Sequence, residues 1–487
     1  MIALPCLLYS MDLTVLNLAV PSLSEDLKPS STELLWIIDI YGFLVAGSLI
    51  TMGTLGDRIG RRRLLLIGAV AFGIASVLAA FSTSAHMLIA SRAVLGLAGA
   101  TLAPSTMSLI RNMFFDPQQR SFAIGVWISS YSAGAVIGPP LGGFLLEYFW
   151  WGSVFLISVP MMVLVLVLGP ILLPESRDSA GGRADPLSAG LSVAAVLGVI
   201  YGLKQIAAHG LGWAPALSIA AGLALGVVFV RRQRGLADPL IDLRLFRAPG
   251  LSASLAIYML ATFAVFGPYV FIAQYLQLVL GLSPLRAGLW SMPFALGFVA
   301  GSMVSPILAR RIRPAVLMTG GLIVSALGFL ALSQVGVSSL ALVVTSTVVF
   351  SLGLSPVFTL ANDIIIGTAP PERAGAAAGI SETCSELGGA LGIAILGSIG
   401  TAIYRAAMTA AVPAGIPTPL AEAARGTLGG ALAAARQLPD VGPAMLDTAR
   451  NAFTSGLRVT GAISALIMIA MAVLVVRSLR HVRPTAI

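Results

Sequence analysis

The chain has 487 residues, 57% of them hydrophobic and only 10% charged, with a formal net charge of +9. A soluble domain carries about 25% charged residues, so this chain cannot cover a water-facing surface and is expected to cross a membrane many times. The basic excess is not a nucleic-acid signature, because the arginines cluster in short connections between apolar runs, where they orient a membrane protein.

Apolar runs of crossing length, about 17–25 residues each, lie near 2–23, 36–56, 64–83, 87–110, 121–146, 152–173, 187–208, 214–230, 250–279, 286–308, 315–335, 339–366, 374–402 and 459–477. The first is not a cleavable leader: it lacks a basic lead-in, and thirteen more runs follow it. Connections on one side hold Arg58, Arg61, Arg62, Arg63, Arg231, Arg232, Arg234, Arg310 and Arg311, whereas the short ones opposite hold only Lys28 and Arg286. The arginine-rich side is therefore cytoplasmic, and an even number of spans puts both termini there. Residues 403–458 break the pattern as a long extracytoplasmic connection carrying both signs of charge. Within it "AEAARGTLGGALAAARQL" reads as an amphipathic helix, either a surface insertion or a cap over the outer mouth.

Inside these runs the ionisable residues are few. Asp12 stands on a span whose Ser10, Thr14 and Asn17 fall on nearly the opposite side, so that span is polar on two faces and cannot face lipid broadly. An intramembrane carboxylate is a functional candidate by default. Glu382 and Glu386 lie four apart on one helix face. Two carboxylates that close in a low dielectric resist ionising together, so one is expected to hold a proton. Asp39 and Arg92, at similar depth on neighbouring spans, are expected to pair as an outer gate or coupling pair. Asp57, Arg58, Gly60, Arg61 and Arg62 form a charged turn between the second and third spans, with the glycine permitting a tight bend. Gly134, Gly138, Pro139, Gly142 and Gly143 make the fifth span pliable and closely packed.

Two stretches recur at one shift. Arg58 and Ile59 match Arg311 and Ile312, 253 residues on, and Gly134 and Gly138 match Gly388 and Gly392, 254 residues on. Two matches at nearly the same shift argue for homologous halves. The expected fold is an all-α membrane protein of fourteen transmembrane helices: a six-helix bundle over 1–173, two inserted helices over 174–235, and a second six-helix bundle over 236–487 that includes the 403–458 connection.

Five motifs in order, "MDLTVLNLAVP" (11–21), "GTLGDRIGRRR" (53–63), "RAVLGLAGA" (92–100), "GAVIGPPLGGFL" (134–145) and "PLIDLRLFR" (239–247), resemble the major facilitator superfamily, specifically its fourteen-helix drug:proton antiporter branch. Within that branch "LWIIDIY" (35–41) and "SETCSELGGALG" (381–392) look like the quaternary-ammonium and multidrug exporters. Leu95 departs from the fourth-helix motif, which usually has glutamine there. The resemblance implies a monomeric antiporter of the bacterial inner membrane that exchanges protons for lipophilic, often cationic, small molecules. It implies substrate and proton contacts at Asp12, Glu382, Glu386 and Asp39, with Asp57 latching the inner gate against the start of the thirteenth span. No phosphate-binding loop, hydrolase triad or redox constellation appears, so an enzyme and a bound cofactor are not expected, and a proton gradient is the expected energy source. An uptake permease on the same fold, or a non-transporting receptor or scaffold, are the rival readings.

Overall fold

In a computed structural model of the chain, residues 3–479 are described apart from 115, 176–184, 210–211, 237–238, 240–248, 369–373, 413–415 and 439. All regular structure among them is helical: α1 (Ala3–Leu27), α2 (Ser31–Ile59), α3 (Arg61–Ala80), α4 (Ala85–Met113), α5 (Pro117–Tyr148), α6 (Ser153–Leu156), α7 (Ser158–Leu172), α8 (Pro186–His209), α9 (Trp213–Gly235), α10 (Pro249–Gln274, continued by a π turn Tyr275–Val279), α11 (Pro284–Ala309), α12 (Pro314–Leu332), α13 (Leu340–Thr368), α14 (Ala374–Ala411), α15 (Thr418–Gly426), α16 (Leu428–Ala435) and α17 (Gly442–Leu479). A chain this apolar has little alternative, because in hydrocarbon each backbone N–H and C=O must be satisfied within its own segment. Helix starts are fixed locally. Ser30 and Glu33 cap α2 reciprocally, and Ser84 and Ser283 accept backbone N–H groups at the starts of α4 and α11.

Among the described residues eleven helices are long and apolar enough to span a membrane, or twelve with the bent α1 taken as one span. The two other expected windows fall on α5, several of whose side chains lie outside the described set, and on α8, whose apolar stretch Leu187–Gly202 is shorter. The 403–458 connection is mostly helix rather than loop. α14 runs on to Ala411, α15 (Thr418–Gly426) and α16 (Leu428–Ala435) follow, and α17 starts at Gly442. This connection is tied to α1 by the Arg436–Glu25 ion pair and to α14 by the Tyr404 hydroxyl donating to the Ala424 carbonyl at 2.9 Å.

The pairing of helices repeats. α1 packs on α5 and α2 on α4, as α10 packs on α14 and α11 on α13, and the two sets meet where α5 touches α11 and α2 touches α14. Glycines set these distances. A Cβ added at Gly134 would lie 2.4 Å from the Leu7 carbonyl oxygen, and one at Gly138 2.4 Å from Thr14 Oγ1, so the α5 glycines admit α1. At the repeat shift, Gly388 and Gly392 admit α10 in the same way, at 2.3 Å from Met259 O and 2.2 Å from Phe263 O. The next face of α5 serves the other set. A Cβ at Gly143 would sit 2.5 Å from Pro284 O, and one at Gly288 of α11 would sit 2.2 Å from Pro139 O. The expected close packing of Gly134, Gly138, Pro139, Gly142 and Gly143 thus divides between two partners, which spacing alone does not reveal.

The α8–α9 hairpin leans on both sets through α8. Ile200 packs with Phe43 of α2 and with Ala390 and Ala394 of α14. Its arginine-rich end is clipped by Asp185, which caps the Ser188 N–H at 3.1 Å and accepts from Arg232 Nε at 3.0 Å and Nη2 at 3.1 Å. The Arg232 guanidinium, with help from the Ser188 hydroxyl, brings the Asp185 pKa down to about 2. The clip is therefore charged at any physiological pH.

The contact between Gly288 and the Pro139 carbonyl generates a prediction, because backbone cannot swing aside for a methyl group. Gly288→Ala is expected to push the outer ends of α5 and α11 apart, at a cost of about 1–3 kcal/mol. Spin labels at Phe149→Cys and Leu282→Cys, in a background lacking Cys6 and Cys384, should report a longer mean distance. An unchanged distance distribution would contradict the assignment.

Candidate functional site

The site starts from a bend. α1 turns by 42° between Leu4–Asp12 and Thr14–Leu27. The Thr14 hydroxyl donates back to the Met11 carbonyl at 3.0 Å, the kind of side-chain bond that bends helices. Beside the bend, Asp12 accepts from Arg92 Nη1 at 3.1 Å. Arg92 is 1% exposed and is held further by the Ile38 carbonyl at 3.4 Å and by the Tyr41 ring, whose centroid lies 5.0 Å from Cζ. Its guanidinium is ion-paired with Asp12. Asp39 itself is 1% exposed and follows Ile38 on α2, so both acids lie on elements that bracket Arg92. Asp12 also lines a small cavity walled by Phe72, Val154, Phe155 and Ser158, and so looks into the first helix set rather than toward the second.

The second set of acids is reached through rings. Tyr9, one turn before Asp12, has its centroid 6.1 Å from Tyr41 and 6.3 Å from Tyr131. Its hydroxyl donates to Glu386 Oε1 on α14. This bond joins α1 of the first set to α14 of the second, and Tyr9 and Glu386 are both buried. Glu386 also nears α2, where a Cβ at Gly42 would stand 4.0 Å from its Oε2. Glu382, partly buried one turn earlier on α14, is within electrostatic reach of Cys6, Tyr131 and Tyr258. The structure thus gathers Asp12, Arg92, Tyr41, Tyr9 and Glu386 into one chain of contacts through an apolar interior, made of an ion pair, two ring contacts and a hydrogen bond, with Glu382 one turn from its end. Tyr41 and Tyr131 escape a sequence reading that looks for charges. The available signal is a tyrosine hydroxyl isolated in an apolar run, which needs a partner when buried. The rings of Phe266, Tyr269, Phe294 and Phe350 continue as a chain inside the second set, with successive centroids at 6.3, 5.6 and 5.6 Å.

At the charged turn, Gly60 and Arg62 meet Glu175. Gly60 has φ +108°, and a Cβ there would lie 2.4 Å from the Glu175 carboxylate. Glu175 accepts the Arg62 N–H at 3.2 Å at the start of α3 and stands 3.7 Å from the Arg62 guanidinium. Arg62 also donates to the Leu173 carbonyl at 2.9 Å, so this arginine binds the end of α7 within its own helix set. Arg61 packs over Gly56, where an added Cβ would stand 2.9 Å from its Cδ. The side chains of Asp57 and Arg58, and residues 369–373 before the helix start that Asp57 would latch, lie outside the described residues.

A family model described as Major Facilitator Superfamily matches residues 3–393. The chain belongs to that superfamily. Among its relatives is the multidrug efflux pump LfrA of Mycolicibacterium smegmatis, 44% identical over 477 residues that make up 97% of this chain and 94% of that protein. Another is the methyl viologen resistance protein SmvA of Salmonella typhimurium, 37% identical and covering 91% of this chain and 90% of its own. A crystal structure of a bacterial homologue of the human lysosomal transporter Spinster, inward-facing and unoccupied, aligns with a TM-score of 0.68 over 99% of this chain and 97% of that one, at 18% identity. Membership of the superfamily makes this a multi-pass membrane transporter and not an enzyme.

Removing one member of a buried pair leaves the other uncompensated. Asp12→Asn is expected to lower stability by roughly 3 kcal/mol through the stranded Arg92. The double variant Asp12→Asn/Arg92→Gln should recover much of that loss. Thermal unfolding of the purified variants checks the pair, and losses that simply add in the double variant would break the assignment.

Proposed function

We propose that this superfamily member is a proton-coupled multidrug efflux antiporter of the bacterial inner membrane. It has fourteen spans, both termini in the cytoplasm, and rocks as a monomer between inward- and outward-open states. Its halves are residues 1–173 and 236–487, with 174–235 as an inserted hairpin. The substrates are lipophilic, often cationic, small molecules, quaternary ammonium compounds among them. The names of its relatives, a multidrug efflux pump and a methyl viologen resistance protein, support that class.

One observation carries the reading: the Tyr9 hydroxyl bound to Glu386 across the two helix sets. A carboxylate in such a site is costly to ionise without a partner. A proton and a lipophilic cation are alternative partners, so the site keeps nearly constant charge when one replaces the other. The cation displaces a proton from Glu382 or Glu386. The carboxylate then serves the cation instead of Tyr9, and a bond that ties one half to the other is released. Aromatic faces at Tyr9, Tyr131 and Phe266 favour a delocalised or quaternary cation over a strongly hydrated one. Asp12 and Arg92 form the second ionisable station. It is reached through Tyr41, lies within one half, and responds to rocking through the bend in α1. Asp39, buried beside it, belongs to the same station.

Cells expressing the chain, loaded with ethidium, should lose the dye faster than control cells, and a proton uncoupler should remove the difference. Efflux that persists unchanged with the uncoupler would contradict proton coupling. Net dye accumulation would favour an uptake permease.

A further inference from the structure

The α8–α9 hairpin packs on α14 through α8, and beyond that contact it leaves a cavity of about 570 Å³. Its walls are apolar: Val196 and Val199 of α8, Gly226 and Val230 of α9, and Leu387 and Leu391 of α14. That volume lies within the range of about 300–1,000 Å³ typical of small-ligand sites. The cavity is open toward the bilayer, because α9 buries only Gly222 and Gln233, and its Leu223, Val227 and Val230 are exposed. Gly226 keeps it wide, since a Cβ there would meet nothing nearer than Ala195 Cβ at 3.9 Å.

Its arginine-rich end is not apolar. Arg231 and Arg234 line the same cavity. They are three apart on α9 and so share a face. Arg232, between them in sequence, is turned to the Asp185 clip instead. The clip fixes the rotation of α9 that aims the other two at the groove mouth.

We propose that this groove is a binding site for one anionic glycerophospholipid of the cytoplasmic leaflet, with an acyl chain along Val196, Gly226 and Leu391 and the headgroup phosphate on Arg231 and Arg234. Valine and leucine walls suit an acyl chain and offer water no partner. A guanidinium matches phosphate geometry with paired N–H donors, and basic pockets between spans on the cytoplasmic side suit anionic headgroups. The site is separate from the acids: Leu387 and Leu391 are on α14 with Glu386 but face the hairpin. A bound lipid would fill the space between the hairpin and α14 and hold the inserted pair against the second half.

Native mass spectrometry of the full-length protein in detergent, titrated with palmitoyl-oleoyl phosphatidylglycerol or the matching phosphatidylcholine, tests the site. Phosphatidylglycerol should bind in preference. Arg231→Gln/Arg234→Gln should weaken its binding by about fivefold per arginine. Gly226→Phe, which fills the groove without touching a charge, should weaken it as well. Arg310→Gln/Arg311→Gln, on the same side but outside the groove, should leave it unchanged. Equal binding of the two lipids, or undiminished phosphatidylglycerol binding by both groove variants, would overturn the proposal. Displacement of the lipid by ethidium at the groove would also overturn it, by making the groove a substrate path.

Discussion

A guanidinium that is 1% exposed inside an apolar helix bundle is the constraint around which the first half is arranged. Placing such a charge at the centre of a span costs about 2.5–3.5 kcal/mol even on the mildest scales, so acceptors must converge on Arg92. α1 bends by 42° and supplies Asp12, while α2 supplies the Ile38 carbonyl and the Tyr41 ring. The groups around Arg92 come from α1 and α2, so neither helix can shift without changing the balance at Arg92. The same ring of contacts extends through Tyr41 and Tyr9 to Glu386, and this links an ion pair inside one half to a carboxylate of the other. The chain of contacts joins groups that hold charge to groups that hold helices.

Close backbone contact sets the second condition. At Gly134 and Gly388 the chain brings helices of one half together, and at Gly143 and Gly288 it brings the two halves together. Small residues at membrane helix interfaces gain their stability from packing, since lipid offers no hydrophobic drive. The ends of these helices away from the arginine-rich connections are also joined by the Gln277 side chain donating to the Leu18 carbonyl at 2.8 Å and by Glu147 accepting the Leu285 N–H at 3.3 Å. Helices α15 and α16 add the Arg436–Glu25 pair to the same side.

Much of this was legible in the sequence, and what was not has a common cause. Asp12 and Arg92 stand out as isolated charges in apolar runs, and Glu382 and Glu386 as a carboxylate pair on one helix face. Their partners do not, because partnership depends on helix rotation and on contacts between distant segments. Depth along neighbouring spans suggests Asp39 opposite Arg92, but it does not suggest that Asp12, beside the bend in α1, reaches the same guanidinium. Tyr9 reads as one aromatic among several, and its bond to a residue 377 positions away is invisible until the halves are assembled. Gly60 is recognisable as a turn glycine, whereas the Glu175 carboxylate that leaves no room for a side chain there arrives from beyond α7. The 403–458 stretch has the charge of a loop, but its alanine-rich composition favours helix once the segment leaves the bilayer.

The central claim is that the paired glutamates of α14 exchange a proton for a lipophilic cation. It is tested most directly by adding tetraphenylphosphonium to the purified protein in weakly buffered detergent solution and reading the pH change with an indicator dye. The wild-type chain is predicted to release protons in proportion to protein, and Glu382→Gln/Glu386→Gln to release almost none while still unfolding cooperatively. Proton release of wild-type amplitude from that double variant would contradict the account.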